Sequence, residues 1–234
     1  MAQFPADVQV ELAKSGLTLC SDESGLMLRG DGMELRCDLM HMVPRISPRH
    51  LSHELLIKAA RIKGATGPLK AVDATAGLGE DSLLLAAAGF DVTMYEDNPV
   101  IAALLADVLR RSKEVPELVA AVGRMHAVKA DSLLALLQLK VAPDLIYLDP
   151  MFPARTKSAA VKKKFQLLHH LERPCTDAKE LLHAALSAHP HKIVVKRPLK
   201  GPYLAQLRPN YSLKGRSIRF DVIIPMSSRC RAYR

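Results

Sequence analysis

Apolar positions change their period along the 234-residue chain. Up to about residue 40 the runs are short and partly alternating: Leu17-Thr-Leu-Cys20, Gly25-Leu-Met-Leu28 and Met33-Glu-Leu-Arg-Cys37. Ser21-Asp-Glu-Ser24 and Arg29-Gly-Asp-Gly32 separate them, and both are turn sequences, so this stretch predicts a small β-meander. A basic connector broken by Pro44 and Pro48 follows. After it, helical spacing at Leu51, Leu55, Leu56 and Ala59 predicts a helix over Leu51 to Ile62.

From Leu69 the pattern becomes strand–helix alternation. Strands are predicted at Lys70–Thr75, Asp91–Asp97, Met125–Ala130, Pro143–Asp149 and Lys192–Lys196, with a late, antiparallel one at Arg219–Ile224. Helices are predicted at Glu80–Ala88, after Asn98 and Pro99, from Asp131-Ser132 to Leu139, and at Thr176–Ala188. Strands separated by helix-length segments give an α/β fold with a mostly parallel, doubly wound sheet. The expected organisation is a small β-rich unit over 1–45, a connector helix over 46–68 and one α/β domain over 69–234.

Composition narrows the function classes. Lys and Arg number 33 against 24 Asp and Glu, a net charge of +9, which favours a polyanionic partner, nucleic acid before an anionic membrane. No apolar run approaches the roughly 18–20 residues of a membrane span. Asp7 and Glu11 break up the N-terminal segment, so export is not expected and the reading is of a cytoplasmic protein. Cys20, Cys37, Cys175 and Cys230 form no CxxC pair, and the nine histidines form no metal-like pair, so no disulfide framework and no metal are expected.

Four sites at predicted strand ends carry chemistry. In Val72-Asp-Ala-Thr-Ala-Gly-Leu-Gly-Glu-Asp81 a strand that carries Asp73 enters a loop with Gly77 and Gly79 and then a helix. The glycines allow close backbone approach to a ligand. Ser82 stands where a dinucleotide fingerprint has its third glycine, and Glu80 and Asp81 put negative charge where a pyrophosphate would sit. The loop therefore disfavours NAD and FAD and suits a cofactor with a cationic head, such as S-adenosylmethionine (SAM). Glu96 ends the next strand at an offset from Asp73 that suits ribose hydroxyls. Asp131 and Ser132 fall where an adenine-binding loop belongs.

The sharpest site is Leu148-Asp149-Pro-Met-Phe-Pro153 after the fourth strand. An exocyclic amine on a base needs acceptors for its hydrogens before it can attack a methyl group. The Asp149 carboxylate and the Pro150 carbonyl supply them, and Phe152 offers a stacking face. Arg155, Lys157, Lys162, Lys163 and Lys164 follow this loop, and Lys196, Arg197 and Lys200 follow the fifth strand. Both runs are read as phosphate contacts around one crevice.

The blocks Asp73-Ala-Thr-Ala-Gly-Leu-Gly-Glu-Asp81, Glu96-Asp-Asn-Pro-Val-Ile-Ala-Ala-Leu-Leu105, Leu148-Asp-Pro-Met-Phe-Pro153 and Val194-Val-Lys-Arg-Pro198 resemble the RsmJ-type small-subunit ribosomal RNA guanine-N2 methyltransferases. The resemblance covers roughly Ile62 to Ile224. It implies a class I, Rossmann-like methyltransferase fold, SAM as cofactor, and methylation of the exocyclic N2 of a guanine in 16S rRNA, free or in the small-subunit (30S) particle. The cofactor positions it implies are Glu80 and Asp81, Glu96 and Asp97, Asp131 and Ser132, and Asp149. Two readings compete with it. One is methylation of a different nucleic-acid or protein amine; the other is an RNA-binding scaffold that has lost catalysis.

Overall fold

The computed structural model describes residues 4–65, 67–150, 167–168, 170–171 and 177–225. Phe152, Arg155, Lys157 and Lys162 to Lys164 lie outside the described residues, as do Cys175 and Cys230.

The chain opens on helix α1 (Ala6–Ser15) and the antiparallel meander β1 (Thr18–Asp22), β2 (Gly25–Gly30) and β3 (Met33–Leu35). The helix was not expected. Only Val8 of it is buried, so its apolar stripe is too thin to read in sequence. The meander shares its core with the main sheet, because Leu19, Leu28 and Leu35 belong to the same apolar cluster as Leu84 and Leu105.

Where one helix was expected over Leu51 to Ile62, the connector makes three short pieces: α2 (Val43–Ile46), α3 (Pro48–Leu51) and α4 (Leu55–Ala60). Pro48 can begin a helical turn but cannot continue one, so it starts α3. Glu54 is extended and starts α4 afresh, and its carboxylate takes a bidentate pair from Arg45 at 2.7 and 2.8 Å. Burial pulls the Lys192 ammonium below its ordinary value, and it donates to the Ala59 and Arg61 carbonyls at the end of α4.

The α/β unit runs β4 (Leu69–Asp73), α5 (Glu80–Ala87), β5 (Phe90–Glu96), α6 (Pro99–Ser112), α7 (Pro116–Val122), β6 (Met125–Lys129), α8 (Ser132–Leu137), β7 (Leu145–Leu148), α9 (Ala178–Ser187), β8 (Lys192–Pro198), β9 (Tyr211–Lys214) and β10 (Ile218–Ile223). α7 and β9 have no counterpart among the elements that the sequence predicts. The sheet order is β6-β5-β4-β7-β8-β10-β9. The first five strands in that order are parallel, and β10 is antiparallel to both neighbours. Alternate residues feed cores on opposite faces: Ala71, Leu145 and Tyr147 join one cluster, and Val72, Ile146 and Leu148 the other. Asn98 caps α6 as its sequence suggests, with Oδ1 accepting from the Val100 and Ile101 amides.

The chain builds β4, β5 and β6 outward and then returns to place β7 on the other side of β4. That reversal is a topological switch point, and in an open α/β sheet the ligand crevice lies beyond the strand carboxyl ends there. Asp73 and Tyr147 are register partners at this point.

Candidate functional site

A cavity of about 1180 Å³ opens over the carboxyl ends of β4, β5 and β7. It exceeds the roughly 300–1,000 Å³ of a usual small-ligand pocket, which leaves room for a cofactor and a base together. Among the described residues, nine carboxylates line it, against Arg45 and Lys196. On a chain whose net charge is +9, this concentration of acid is local and specific.

Asp73, Gly77, Gly79, Glu80, Asp81, Glu96, Asp97, Asp131, Ser132, Asp149 and Pro150 all line this cavity. The loop after β4 is left-handed at Gly77 (φ 52°) and Gly79 (φ 79°). A Cβ on Gly77 would meet nothing within 4 Å, so that stretch of backbone is open to a ligand. A Cβ on Gly79 would lie 3.0 Å from Leu105, so this glycine serves helix packing. Glu96 accepts from the Gly77 amide and from the Asn98 amide, both at 2.9 Å. It therefore ties the loop to the end of β5, a role that spacing alone did not reveal. The Asp131 carboxylate caps α8 through the Leu133 amide at 2.8 Å. Glu80, in the first turn of α5, pairs with His41 at 3.1 Å.

Asp73 lies beneath the loop, 1% exposed. It accepts from the Ser82 hydroxyl at 2.6 Å, the Thr75 amide at 3.0 Å and the Thr75 hydroxyl at 3.3 Å. Ser82 thus has a reason to stand where a dinucleotide loop has glycine. Burial pushes the Asp73 carboxyl up to about 7, against those hydrogen bonds. The fold favours its protonated form. The stabilisation is complete below the ordinary value of 3.8 and is lost as pH climbs through about 7. Asp73→Asn should flatten that fall in stability, which denaturant midpoints across this range will measure. An equally steep fall in the variant would assign it to another group.

Asp149 stands past the end of β7 with its side chain 32% exposed. Its amide donates to the Thr75 hydroxyl at 2.7 Å, which joins the β7 loop to the β4 loop. Lys196 Nζ donates to Asp81 Oδ2 at 2.7 Å and pairs with Asp149 Oδ2 at 2.9 Å. The Tyr147 hydroxyl donates to the same Asp81 oxygen at 2.6 Å. Burial raises the Asp149 carboxyl, and Lys196 works against it. Burial likewise raises the Tyr147 phenol, with Asp81 adding to it, so Tyr147 stays protonated and donates. Tyr147 was legible in principle: two residues before Asp149 on a strand, it shares that residue's face.

Two residues of the expected phosphate ring are corrected. Arg197 is 1% exposed, and its Nε and Nη2 donate to the Pro202 carbonyl. Its β8 position turns the guanidinium into the protein and it presents nothing to a phosphate. Lys196 lies inside the cavity between two carboxylates, which would repel a phosphate there. Lys200 is exposed and lies outside the cavity wall. Pro44, Arg45, His50, His53 and Leu55, from the segment before β4, form a further wall of the cavity. Among the described residues, no three His, Cys, Asp or Glu side chains are grouped to hold a metal ion, and no helix is long and apolar enough to cross a membrane.

The residues present fit a cationic nucleoside cofactor. Acids surround the space, an open glycine backbone faces it, and the helix start that would receive a pyrophosphate carries Glu80 and Asp81.

Comparison with known proteins accords with this chemistry. A family model described as "Putative SAM-dependent methyltransferase" matches residues 9–225. The chain is similar to the ribosomal RNA small subunit methyltransferase J of Thioalkalivibrio sulfidiphilus, with 44% identity over 74% of this chain and 69% of that protein. The protein of the same name from Pseudomonas aeruginosa is 42% identical over 73% of this chain and 66% of its own length, so such alignments span about two thirds of these relatives. Among solved structures, a SAM-dependent methyltransferase from Neisseria gonorrhoeae superposes with a TM-score of 0.72 and 31% identity, over 97% of this chain and 86% of that one.

Proposed function

The chain belongs to the SAM-dependent methyltransferase family that includes ribosomal RNA small subunit methyltransferase J, and from that premise we propose that it methylates the exocyclic N2 of a guanine in small-subunit ribosomal RNA. The observation that carries this reading is the place of Asp149. Its carboxylate stands at the end of β7, on the wall of an acid-lined cavity roomy enough for a cofactor and an extruded base.

SAM, when bound, supplies an electrophilic methyl group on a sulfonium. The chain's own residues do the rest. Glu80, Asp81 and Asp97 offset the positive head, Glu96 accepts from ribose hydroxyls, and Asp131 and Ser132 border the adenine. The Gly77 backbone permits close approach. Asp149 and the Pro150 carbonyl accept from the guanine N2 hydrogens and aim the amine's lone pair, with Phe152 as the stacking face. Asp149 acts as an oriented acceptor rather than a strong base, and it takes the N2 proton after the methyl has moved. The chain's excess of cation includes Arg155, Lys157, Lys162, Lys163, Lys164 and Lys200, and these side chains are assigned to RNA phosphates. An activity on ribosomal RNA belongs in the cytoplasm.

Replacing Lys162, Lys163 and Lys164 together with Ala should weaken RNA binding whatever the sequence. It should also flatten the log-affinity against log-salt slope by about one for each phosphate that is no longer neutralised. A slope identical to that of the unchanged protein would show a merely solvated lysine face.

The activity is tested with the purified protein, methyl-labelled SAM and small-subunit particles that lack the modification. Nucleoside digestion should return the label as N2-methylguanosine. Label in adenosine or in a ribosomal protein would overturn the choice of amine. SAM binding without transfer would favour a silent scaffold.

A further inference from the structure

Lys196 is the one lysine in the cavity wall among the described residues, and two carboxylates share it. We propose that Lys196 is the positioning residue of the site, its ammonium bridging Asp81 and Asp149 so that the Asp149 carboxylate stays ionised and aimed at the incoming amine. The proposal rests on the reading of Asp149 as the acceptor for the base.

Lys196 joins three elements. Asp81 belongs to the first turn of α5, on the cofactor side of the cavity. Asp149 belongs to the loop after β7, on the substrate side, and Lys196 reaches both from β8 at 2.7 and 2.9 Å. Asp149 is held at two points, by its amide on the Thr75 hydroxyl and by its Oδ2 on Lys196. An oxygen engaged by an ammonium fixes the carboxylate plane, and the other oxygen is then directed by the same contact. Asp81 is anchored in turn by the Tyr147 hydroxyl.

Charge makes the same point. Among the described residues, the groups acting on Asp149 are Lys196 and Arg197 from β8, Asp81 from α5, Asp73 from β4 and Tyr147 from β7. Burial and Asp81 favour a neutral Asp149, while Lys196 and Arg197 favour the carboxylate. Arg197 points into the protein and is bound to Pro202, so among the described residues Lys196 is the cation in contact. Burial pulls Lys196 down, yet the two carboxylates outweigh it and raise the ammonium above its ordinary value, so it stays charged. A neutral Asp149 keeps one acceptor oxygen but gives up the charge that polarises the amine. Removing Lys196 removes the main opposition to that neutral form, and the acid limb of the reaction must move to higher pH.

The test has two readouts. In the cofactor-free protein, the Asp149 carboxyl is titrated by carbon-13 NMR, with the signal assigned by its loss in Asp149→Asn. Lys196→Met should move that titration upward by about one pH unit or more, and Lys196→Arg should hold it within a few tenths. In single-turnover methyl transfer to small-subunit particles, the acid limb should move by the same interval. At a fixed pH below the limb, the rate should fall about tenfold for every pH unit that the limb has risen. If Lys196→Met does not fold, Lys196→Gln takes its place. An unchanged Asp149 titration in a folded variant overturns the proposal. So does a variant whose RNA affinity falls while titration and limb stay fixed, because that is the signature of a phosphate contact. Should the unmodified protein transfer no methyl group to these particles, the proposed function fails, while the carboxyl titration still decides the role of Lys196.

Discussion

Asp149→Ala is expected to lower single-turnover methyl transfer by more than about 10²-fold, with SAM affinity changed far less. The loss has two sources. The amine no longer finds the charged acceptor that aligns it, and Lys196 is left 2.7 Å from Asp81 with its second partner gone. Asp149→Asn keeps an acceptor oxygen and gives up the charge, so its loss should be smaller than that of Asp149→Ala but still about 10²-fold. Methyl transfer and cofactor affinity, measured side by side on the same preparations, separate chemistry from binding. Wild-type turnover by Asp149→Ala would reduce the Asp-Pro-Met-Phe segment to an ordinary turn and move the active site elsewhere.

The second large effect belongs to Glu96. Two charge-assisted hydrogen bonds to ribose hydroxyls are worth roughly 2–4 kcal/mol, so Glu96→Ala should weaken SAM binding by about 30-fold to 10³-fold. Glu96 also holds the Gly77 and Asn98 amides, so the variant should lose about 1–2 kcal/mol of stability as well. Calorimetric titration with SAM, run well below the melting temperature of the variant, reads the affinity by itself. Unchanged affinity would leave Glu96 as a loop brace and nothing more.

Much of this site is legible in the sequence, for a physical reason. A parallel sheet gathers its strand carboxyl ends, so residues at the ends of β4, β5 and β7 had to meet once the strands were recognised. Asp73, Glu96 and Asp149 are far apart in sequence and line one cavity. What escaped was information that sequence does not hold locally. The direction of a lysine or arginine at a strand end depends on the neighbouring strands: Lys196 points into the cavity and Arg197 into the protein, although both read as phosphate contacts in a basic run. The helix α1 carries one buried residue and so showed no stripe. The connector read as one helix from Leu51 because its spacing was helical, but Glu54 is extended and paired with Arg45, so α4 starts only at Leu55. β9 left no clear signal because it is short, four residues flanked by loops, and its burial is only partial.

If this chain places a methyl group on a guanine N2 of small-subunit ribosomal RNA, that RNA must differ between cells with and without the gene. Nuclease digestion and mass spectrometry map every N2-methylguanosine in both. A third strain carries the gene with Asp149→Ala. One N2-methylguanosine should be missing in the deletion strain, return with the intact gene and stay missing with Asp149→Ala. Identical guanine methylation in all three strains would contradict the assignment.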